Sequence, residues 1–184
     1  MSDLTIAQVQ QGTRCPLPAV TTNWPLILQA LVQEEISHPL VQVAAASTVA
    51  VETAWTFQPI KEYGPDSYFQ KYEPGTSIGD RLGNTEKGDG LRYKGRGFVQ
   101  ITGRANYGSV GAYLDVDLEE TPDLALEPMT AARVLAWYFR ERRVAEAAEK
   151  AQWRRTRRLV NGGVNGLDDY MKVVTRLLDI VKAG

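Results

Sequence analysis

The sequence predicts a mainly α-helical domain with a small β element and a long central loop region. Two patterns carry this prediction. Apolar side chains recur at helical spacing in the N-terminal and C-terminal parts, whereas glycines interleaved with charge fill residues 53–107. The 184 residues suit a single domain spanning 1–184, and a chain that is 43% hydrophobic can bury a core without disulfides or metal.

The N-terminal part starts with a helix signal and continues with a proline-rich break. Thr5 followed by Gln8 matches a capping box, which predicts a short helix through about Gln11. Residues 13–25 contain three prolines and are predicted to form a loop. Pro25 is then expected at the first position of an amphipathic helix that continues through residue 36.

A second, more apolar helix is predicted to follow. Ser37 or His38 can cap it, Pro39 opens it, and its next residues are apolar on nearly every face, which is typical of a buried helix. Glu52 is the only carboxylate in this stretch and stands at its C-terminal end. It either reaches solvent or lines a pocket, where desolvation and the negative end of the helix dipole would favour the protonated form that a general acid needs.

The central region holds many aromatic residues among its glycines. They favour a folded, site-bearing surface over disorder, and aromatic rings are the groups on which sugar rings stack. The segment FVQIT (98–102) alternates like a short strand. The aromatic residues are Tyr63, Tyr68, Phe69, Tyr72, Tyr93, Phe98 and Tyr107.

The C-terminal part returns to helical patterns. A helix is predicted over 128–150, a second ends at Asn161-Gly162-Gly163, and Asp168 is expected to cap the last one. The apolar face of the first helix runs through Ala132, Leu135, Ala136 and Phe139.

The composition argues against metal, cofactor and nucleophile chemistry. Cys15 is the one cysteine and His38 the one histidine, so a Cys/His zinc site or a Ser-His-Asp triad is not expected. The glycine-rich run at 79–90 fits neither the P-loop nor the EF-hand pattern, and the Gly95-x-Gly97 pair lacks the third glycine of a dinucleotide fingerprint. We therefore expect no cofactor and no metal.

The charge is unevenly distributed although the net charge is only −1. Residues 1–60 carry −3, residues 61–128 carry −4 and residues 129–184 carry +6. The basic run Arg154, Arg155, Arg157 and Arg158 could indicate nucleic acid, but no recognition motif accompanies it, so a solvated helix face is the favoured interpretation. The N-terminus lacks the pattern of a signal peptide, and no apolar stretch is long enough to span a membrane.

One long motif resembles a known family. YKGRGFVQITGRANYG (93–108) is similar to the signature of glycoside hydrolase family 19 and of the phage endolysins related to those chitinases. LGNTEKGDG (82–90) and RRLVNGGVNGLDD (157–169) fit the endolysin branch. The resemblance extends from about Leu4 to the last helix and implies a lysozyme-like fold.

The resemblance also implies catalytic roles for particular residues. Glu52 matches the general acid, and Glu73 falls near the second glutamate, which activates water. Thr102 occupies the place of the hydroxyl residue that helps to hold that water. Glu62, ten residues after Glu52, is a rival second carboxylate.

Further residues are implied as contacts to the sugar. Gln100 and Asn106 match polar residues of the sugar subsites, and Asn161 matches the asparagine of the NGG turn at the cleft edge. Tyr93, Arg96 and Tyr107 of the central motif complete the predicted substrate-binding set.

The chain departs from the family pattern at two places. The family commonly has His-Glu followed by Thr or Ser and two glycines, whereas this chain has Val51 before Glu52 and Ala54-Trp55 after Thr53. Trp55 could narrow the cleft or provide a stacking platform. Asp169 stands where an arginine is frequent.

Together these observations predict an endolysin-type inverting hydrolase of the β-1,4 aminosugar backbone of peptidoglycan. A chitinase is the first alternative, and a catalytically weak wall-binding virion component is the second. The expected partner is the peptidoglycan or chitin polymer, without nucleic acid or stable membrane insertion. A monomer that stays in the host cytoplasm until its release to the cell wall is expected.

Overall fold

The computed structural model describes residues 3–183, and helices make up most of it. Two 3₁₀-helices, Asp66–Tyr72 and Pro122–Leu126, and two strands, β1 (Ile60–Lys61) and β2 (Arg96–Gly97), lie between the α-helices. The α-helices are α1 (Ile6–Thr13), α2 (Leu17–Gln33), α3 (Pro39–Glu52), α4 (Ser77–Arg81), α5 (Asp89–Arg92), α6 (Arg104–Leu114), α7 (Pro128–Glu141), α8 (Val144–Glu149), α9 (Trp153–Asn161) and α10 (Leu167–Ala183). The predicted mainly helical fold with a small β element is confirmed.

Helix α3 lies at the centre of the core, as its apolar sequence predicts. Its residues from Val41 to Ala50 are all buried, and it packs against α1, α2, α8, α9 and α10. His38 caps it by accepting a hydrogen bond from the Leu40 amide at 3.2 Å, and Pro39 occupies the first turn. The core therefore fixes the direction of α3, and Glu52 is its last residue.

The N-terminal segment is fastened to this core by buried polar groups. Gln42 is fully buried, and its Oε1 accepts from the Leu4 amide at 2.8 Å. The Trp24 indole donates to the Leu4 carbonyl at 2.7 Å. The predicted capping box of Thr5 and Gln8 is confirmed.

The predicted loop over 13–25 is wrong, because α2 already begins at Leu17 and contains Pro25 in its interior. Pro18 lies in the first turn, where the missing amide costs nothing. Pro25 lacks the amide that would bond to the Thr21 carbonyl, but both residues are exposed, so that carbonyl can bond to water. An interior proline on the solvent side is thus tolerated.

The small β element lies at a different position from the predicted one. β1 and β2 pair antiparallel, with Ile60 opposite Gly97 and Lys61 opposite Arg96. In the predicted strand 98–102 only Ile101 forms a bridge, which leads back to Arg96. The chain turns tightly between these two residues, with Gln100 at a φ of 53°. That turn places Gln100 against the sheet.

The C-terminal helices follow the prediction with two differences. The helix predicted over 128–150 is divided into α7 and α8, because Arg143 adopts a left-handed φ of 55°. α9 ends at Asn161 with Gly162 as its cap, as predicted. α10 begins at Leu167, so Asp168 lies in its first turn instead of capping it. A carboxylate there still interacts favourably with the helix dipole.

A buried ion pair joins the glycine-rich segment to the motif helix α6. Arg104 donates to both carboxylate oxygens of Asp89, at 2.7 and 2.9 Å. Burial opposes the ionisation of Asp89, but hydrogen bonds from Arg104 and from the Glu86 and Thr85 amides outweigh it and lower the pKa of this carboxyl. This ion pair holds the segment around α5 against the start of α6.

Candidate active site

The carboxyl group of Glu52 is held by a buried arginine of α9. Glu52 Oε1 accepts a short hydrogen bond from Arg157 Nη1, and the two side chains are 13% and 3% exposed. Arg157 is itself fixed, because its Nε and Nη2 donate to the Asn165 carbonyl at 3.0 and 2.7 Å. The carboxyl is therefore oriented by a guanidinium that the 161–166 loop holds in place.

The other oxygen of Glu52 is open. Among residues 3–183, no protein donor bonds to Glu52 Oε2. The loop passes close by, since Gly166 lies against Val51 and Arg157. A cavity of about 580 Å³ opens beside this loop and is lined by Arg154, Val164, Gly166, Leu167, Asp168 and Asp169. A half-buried carboxyl with one fixed and one free oxygen is suited to exchange a proton with a bound molecule.

Glu62 lies directly after β1, against the central motif. Its backbone amide donates to the Gly95 carbonyl at 2.8 Å, and its Oε2 accepts from the Gly95 amide at 3.0 Å. Its Oε1 accepts from the Tyr72 hydroxyl at 3.0 Å. Burial, with a contribution from Glu62, raises the pKa of Tyr72 to about 12 against the opposing effect of Lys71, so the hydroxyl remains a donor at neutral pH. Glu62 is thus oriented within the motif region.

Glu73 lies in a different environment. Its Oε2 accepts from the Gly88 amide at 2.8 Å and its Oε1 from the Gly90 amide at 3.1 Å. These bonds tie the end of the first 3₁₀-helix to the start of α5. Glu73 also lines a cavity of about 480 Å³ together with Phe69, Lys87 and other residues. Both oxygens are engaged by backbone amides, as expected for a structural carboxylate.

The polar residues carried over from the motif cluster around the β element. The Gln100 side chain donates to the Ile60 and Gly97 carbonyls, both at 2.9 Å. The Thr102 hydroxyl donates to the Gln100 carbonyl at 3.0 Å, and Asn106 donates to the Thr102 carbonyl at 2.6 Å. All three are half-buried, and Gln100 Oε1 and Glu62 both lie close to Gly95. The structure therefore links Gln100, Thr102 and Asn106 by hydrogen bonds and places Gln100 near Glu62.

Three residues predicted to contact sugar are buried instead. Tyr93, Arg96 and Tyr107 are 1%, 5% and 0% exposed. Arg96 donates to the Tyr107 hydroxyl at 3.0 Å and to Asp123 at 2.7 Å, and burial raises the pKa of Tyr107 to about 12. Their side chains make contacts inside the protein and are not accessible to a sugar. This part of the prediction is therefore corrected: the three residues support the fold of the motif.

The aromatic surface predicted for the central region is also smaller than expected. Phe69 and Phe98 are buried like the two motif tyrosines, whereas Tyr63 is 97% and Tyr68 44% exposed. Asn161, the predicted cleft-edge residue, is half-buried at the end of α9, next to the loop that holds Arg157.

Sequence reasoning missed the role of Arg157, which it grouped with the basic surface. The helical period of α9 carries the signal: Trp153, Thr156, Arg157 and Val160 recur at spacings of three and four, and the last three are buried. Arg154, Arg155 and Arg158 lie on the exposed side. A charged residue on the buried face of a helix requires a partner, and that partner is Glu52.

A mainly helical domain with a carboxylate at the end of its central helix defines a lysozyme-like class of fold, and comparisons with known proteins specify it further. No protein-family model matches the chain. A glycosyl hydrolase family 19 domain-containing protein of Haemophilus influenzae is 33% identical over 130 residues, which cover 66% of this chain and 63% of that protein. An endochitinase of Arabidopsis thaliana is 35% identical over 77 residues, which cover 42% of this chain and 27% of the endochitinase.

Solved structures agree on the fold. The crystal structure of chitinase C from Streptomyces griseus matches with a TM-score of 0.72 at 20% identity, covering 97% of this chain and 76% of that one. A bacterial family 19 chitinase matches with a TM-score of 0.64 at 19% identity, covering 94% of each chain.

The sequence relatives and the structural neighbours both point to glycoside hydrolase family 19. The chain has the helical, lysozyme-like fold of the chitinases of that family. It spans less than two thirds of the length of these curated relatives.

Proposed function

We propose that this chain is a glycoside hydrolase that cleaves the β-1,4 backbone of an aminosugar polymer, with Glu52 as the general acid. The observation that carries the proposal is the state of the Glu52 carboxyl: one oxygen is fixed by buried Arg157, and the other has no protein donor among residues 3–183. Hydrolysis of a sugar bond needs such a carboxyl to protonate the leaving oxygen. The relatedness to family 19 supports the same chemistry.

The second carboxylate of the proposed inverting mechanism is Glu62. An inverting enzyme holds a water between the base and the sugar, with the two carboxyls roughly 6.5–9.5 Å apart. Glu62 is favoured over Glu73 because it lies beside Gln100 in the motif region, whereas Glu73 is bound to the Gly88 and Gly90 amides of the glycine-rich run at 79–90. Thr102 is proposed to help hold the water, since a hydroxyl both donates and accepts hydrogen bonds.

Peptidoglycan is the proposed polymer, cut in the manner of a phage endolysin by a monomer released to the wall. Arg154, Arg155 and Arg158 are exposed, and no carboxylate within residues 3–183 forms a salt bridge with them. Such a face suits an anionic polymer better than neutral chitin. Chitin is the second candidate, because the named relatives include an endochitinase and chitinases.

The test is to incubate the chain separately with purified peptidoglycan and with chitin and to identify released fragments by mass spectrometry. New reducing ends at N-acetylmuramic acid or N-acetylglucosamine identify the bond in peptidoglycan, and chitooligosaccharides identify chitin as the substrate. Release of no fragments from either polymer would contradict the proposal and favour a binding module.

Glu52→Gln is the matched inactive control. The amide keeps the shape and can still accept a hydrogen bond from Arg157, but it cannot donate the catalytic proton. We expect circular dichroism to show an intact helical fold and hydrolysis to fall on the order of 10²–10⁴-fold. A variant that retains more than about a tenth of the wild-type rate would contradict the role of Glu52 as general acid.

A further inference from the structure

The turn that follows Glu52 is made of residues in an unfavourable backbone conformation. Ala54, Trp55 and Phe57 have φ values of 49°, 68° and 55°. Residues with a Cβ atom rarely adopt this left-handed region, and bulky ones avoid it most strongly. Glycine would form the same turn without this cost.

The turn is nevertheless firmly fixed. The Ala54 and Trp55 amides donate to the Val51 and Ala50 carbonyls at 3.2 and 2.8 Å, which closes the C-terminal end of α3. The buried Thr53 hydroxyl donates to the Val49 carbonyl at 2.6 Å and accepts from the Phe57 amide at 3.0 Å. Strain that the surrounding structure maintains in this way is characteristic of functional sites.

Burial of the side chain does not account for a tryptophan at this position. Trp55 is 39% exposed, whereas Trp24 and Trp137 are 0% and 9% exposed. It stands three residues after Glu52, on the same helix end. Val164, which is 58% exposed, belongs to the 161–166 loop, whose Asn165 carbonyl holds Arg157, the partner of the acid. Exposed apolar side chains therefore occur on both segments that adjoin the Glu52–Arg157 pair, the turn after α3 and the 161–166 loop.

We propose that Trp55 is a carbohydrate-stacking platform, on which the indole binds the apolar face of the N-acetylhexosamine ring adjacent to the cleaved bond. This inference rests on the proposed function. A pyranose ring has an apolar face of C–H groups, which packs well on a flat, rigid aromatic ring. An exposed indole three residues after the acid can provide that contact, and the fixed turn provides it without ordering a loop on binding.

Kinetics with soluble N-acetylglucosamine hexamer and solubilised peptidoglycan strands test the proposal with three variants. Trp55→Gly removes the ring and fits the backbone, Trp55→Phe retains an aromatic face, and Ala54→Gly fits the backbone while keeping the indole. On the polymer that the wild type cleaves, we expect Trp55→Gly to raise KM at least tenfold with kcat changed less than threefold. Trp55→Phe and Ala54→Gly are expected to stay within threefold of the wild-type KM.

Tryptophan emission gives an independent measure of contact. In the inactive Glu52→Gln background, addition of saturating glycan is expected to change the emission, and the additional Trp55→Phe change should remove most of that response while binding by calorimetry persists. A KM of Trp55→Gly within twofold of wild type, or an emission response that survives in Trp55→Phe, would overturn the stacking role. A wild type that is inert on both substrates would instead contradict the proposed function.

Discussion

At the scale of single residues, the important contrast is between the surroundings of three carboxylates, Glu52, Glu62 and Glu73. Glu52 has one oxygen on Arg157 and one without a protein donor in the described part of the chain. Glu73 has both oxygens on backbone amides, where it holds the first 3₁₀-helix against α5. Glu62 receives a tyrosine hydroxyl and one amide within the motif region. In our proposal Glu52 acts through its open oxygen, and Glu62 acts because it lies beside Gln100 of the motif, although both of its oxygens accept hydrogen bonds. Glu73 is proposed to maintain the fold.

This division predicts opposite behaviour for two conservative variants. Glu62→Gln should lower kcat on the order of 10²–10⁴-fold, because it removes the base that activates water. Its stability should change little, because the amide can accept from the Gly95 amide and donate to the Tyr72 hydroxyl. Glu73→Gln should retain most of the activity but lower the free energy of unfolding by about 1–2 kcal/mol, because an amide has one carbonyl acceptor where the carboxylate uses two.

Initial rates and urea denaturation of the two purified variants provide the measurement. If Glu73→Gln loses activity while keeping its stability, and Glu62→Gln stays active, Glu73 is the base and our preference for Glu62 is wrong.

At the scale of elements, the most buried ion pair between the glycine-rich segment and α6 is Asp89–Arg104, which adds to the backbone bonds of Asn84 and Leu82 with the start of α6. Asp89 is 3% exposed at its side chain, and Arg104 is 21% exposed and also bonds to Glu119 at 2.9 Å. The Tyr93 ring lies 5.0 Å from the guanidinium, so the pair sits on the motif scaffold. Asp89→Asn should lower the free energy of unfolding by about 3 kcal/mol, since it leaves a partly buried cation without its main partner.

The pH dependence of stability tests whether the ionised Asp89 carboxyl stabilises the fold. The pKa of Asp89 is lowered in the folded state, so its contribution is complete above the usual value of 3.8 and disappears as the pH falls through the folded-state pKa. Denaturant midpoints of the wild type should therefore fall more steeply below about pH 4 than those of Asp89→Asn. Parallel curves for the two proteins would contradict a stabilising role for the ionised carboxyl.

Elements whose local signals agree with their burial could be predicted from the sequence. α3 has a cap, a first-turn proline and apolar residues on every face, so its position and the placement of Glu52 at its end followed directly. The second half of α2 was predicted from Pro25 onward, but its first half could not be, because the tolerance of Pro25 inside a helix depends on which side of the helix faces water. The strand pairing could not be predicted either. The chain turns tightly at Gln100, so the residues that pair with β1 are Arg96–Gly97 and not the predicted 98–102.

The candidate site shows the same limit. Glu52 was identified from its place at the end of an apolar helix, and the family resemblance gave its role and the two candidates for the second carboxylate, Glu73 and Glu62. Arg157 lies in a run of four arginines that look alike in the sequence. Only the structure shows that it lies on the buried side of α9, unlike the other three. The resemblance predicted sugar contacts for Tyr93, Arg96 and Tyr107. Tertiary packing, which the sequence does not show, buries all three side chains in the protein.

At the scale of the whole molecule, the charge distribution separates a basic C-terminal part from acidic N-terminal and central parts. Residues 129–184 carry +6 and residues 61–128 carry −4. Arg157 does not contribute to the basic surface, because it is buried against Glu52. Within residues 3–183 no helix is both long and apolar enough to cross a membrane. The exposed arginines of α9, Arg154, Arg155 and Arg158, are therefore the residues to change in a test of long-range attraction to an anionic polymer.

Changing Arg154, Arg155 and Arg158 to Gln should weaken attachment to purified anionic cell walls roughly tenfold at low ionic strength and much less near 0.15 M salt, where the screening length is about 8 Å. The matched control changes Arg81, Lys87 and Lys182, which are exposed elsewhere, and produces the same net charge. Sedimentation of each protein with walls over a salt series measures the effect, and Glu52→Gln in all three proteins prevents digestion.

An equal loss on neutral chitin would show damage to the cleft, and an equal loss in the control would show that only net charge matters. Unchanged wall attachment of the α9 variant at low salt would remove the electrostatic argument for peptidoglycan over chitin.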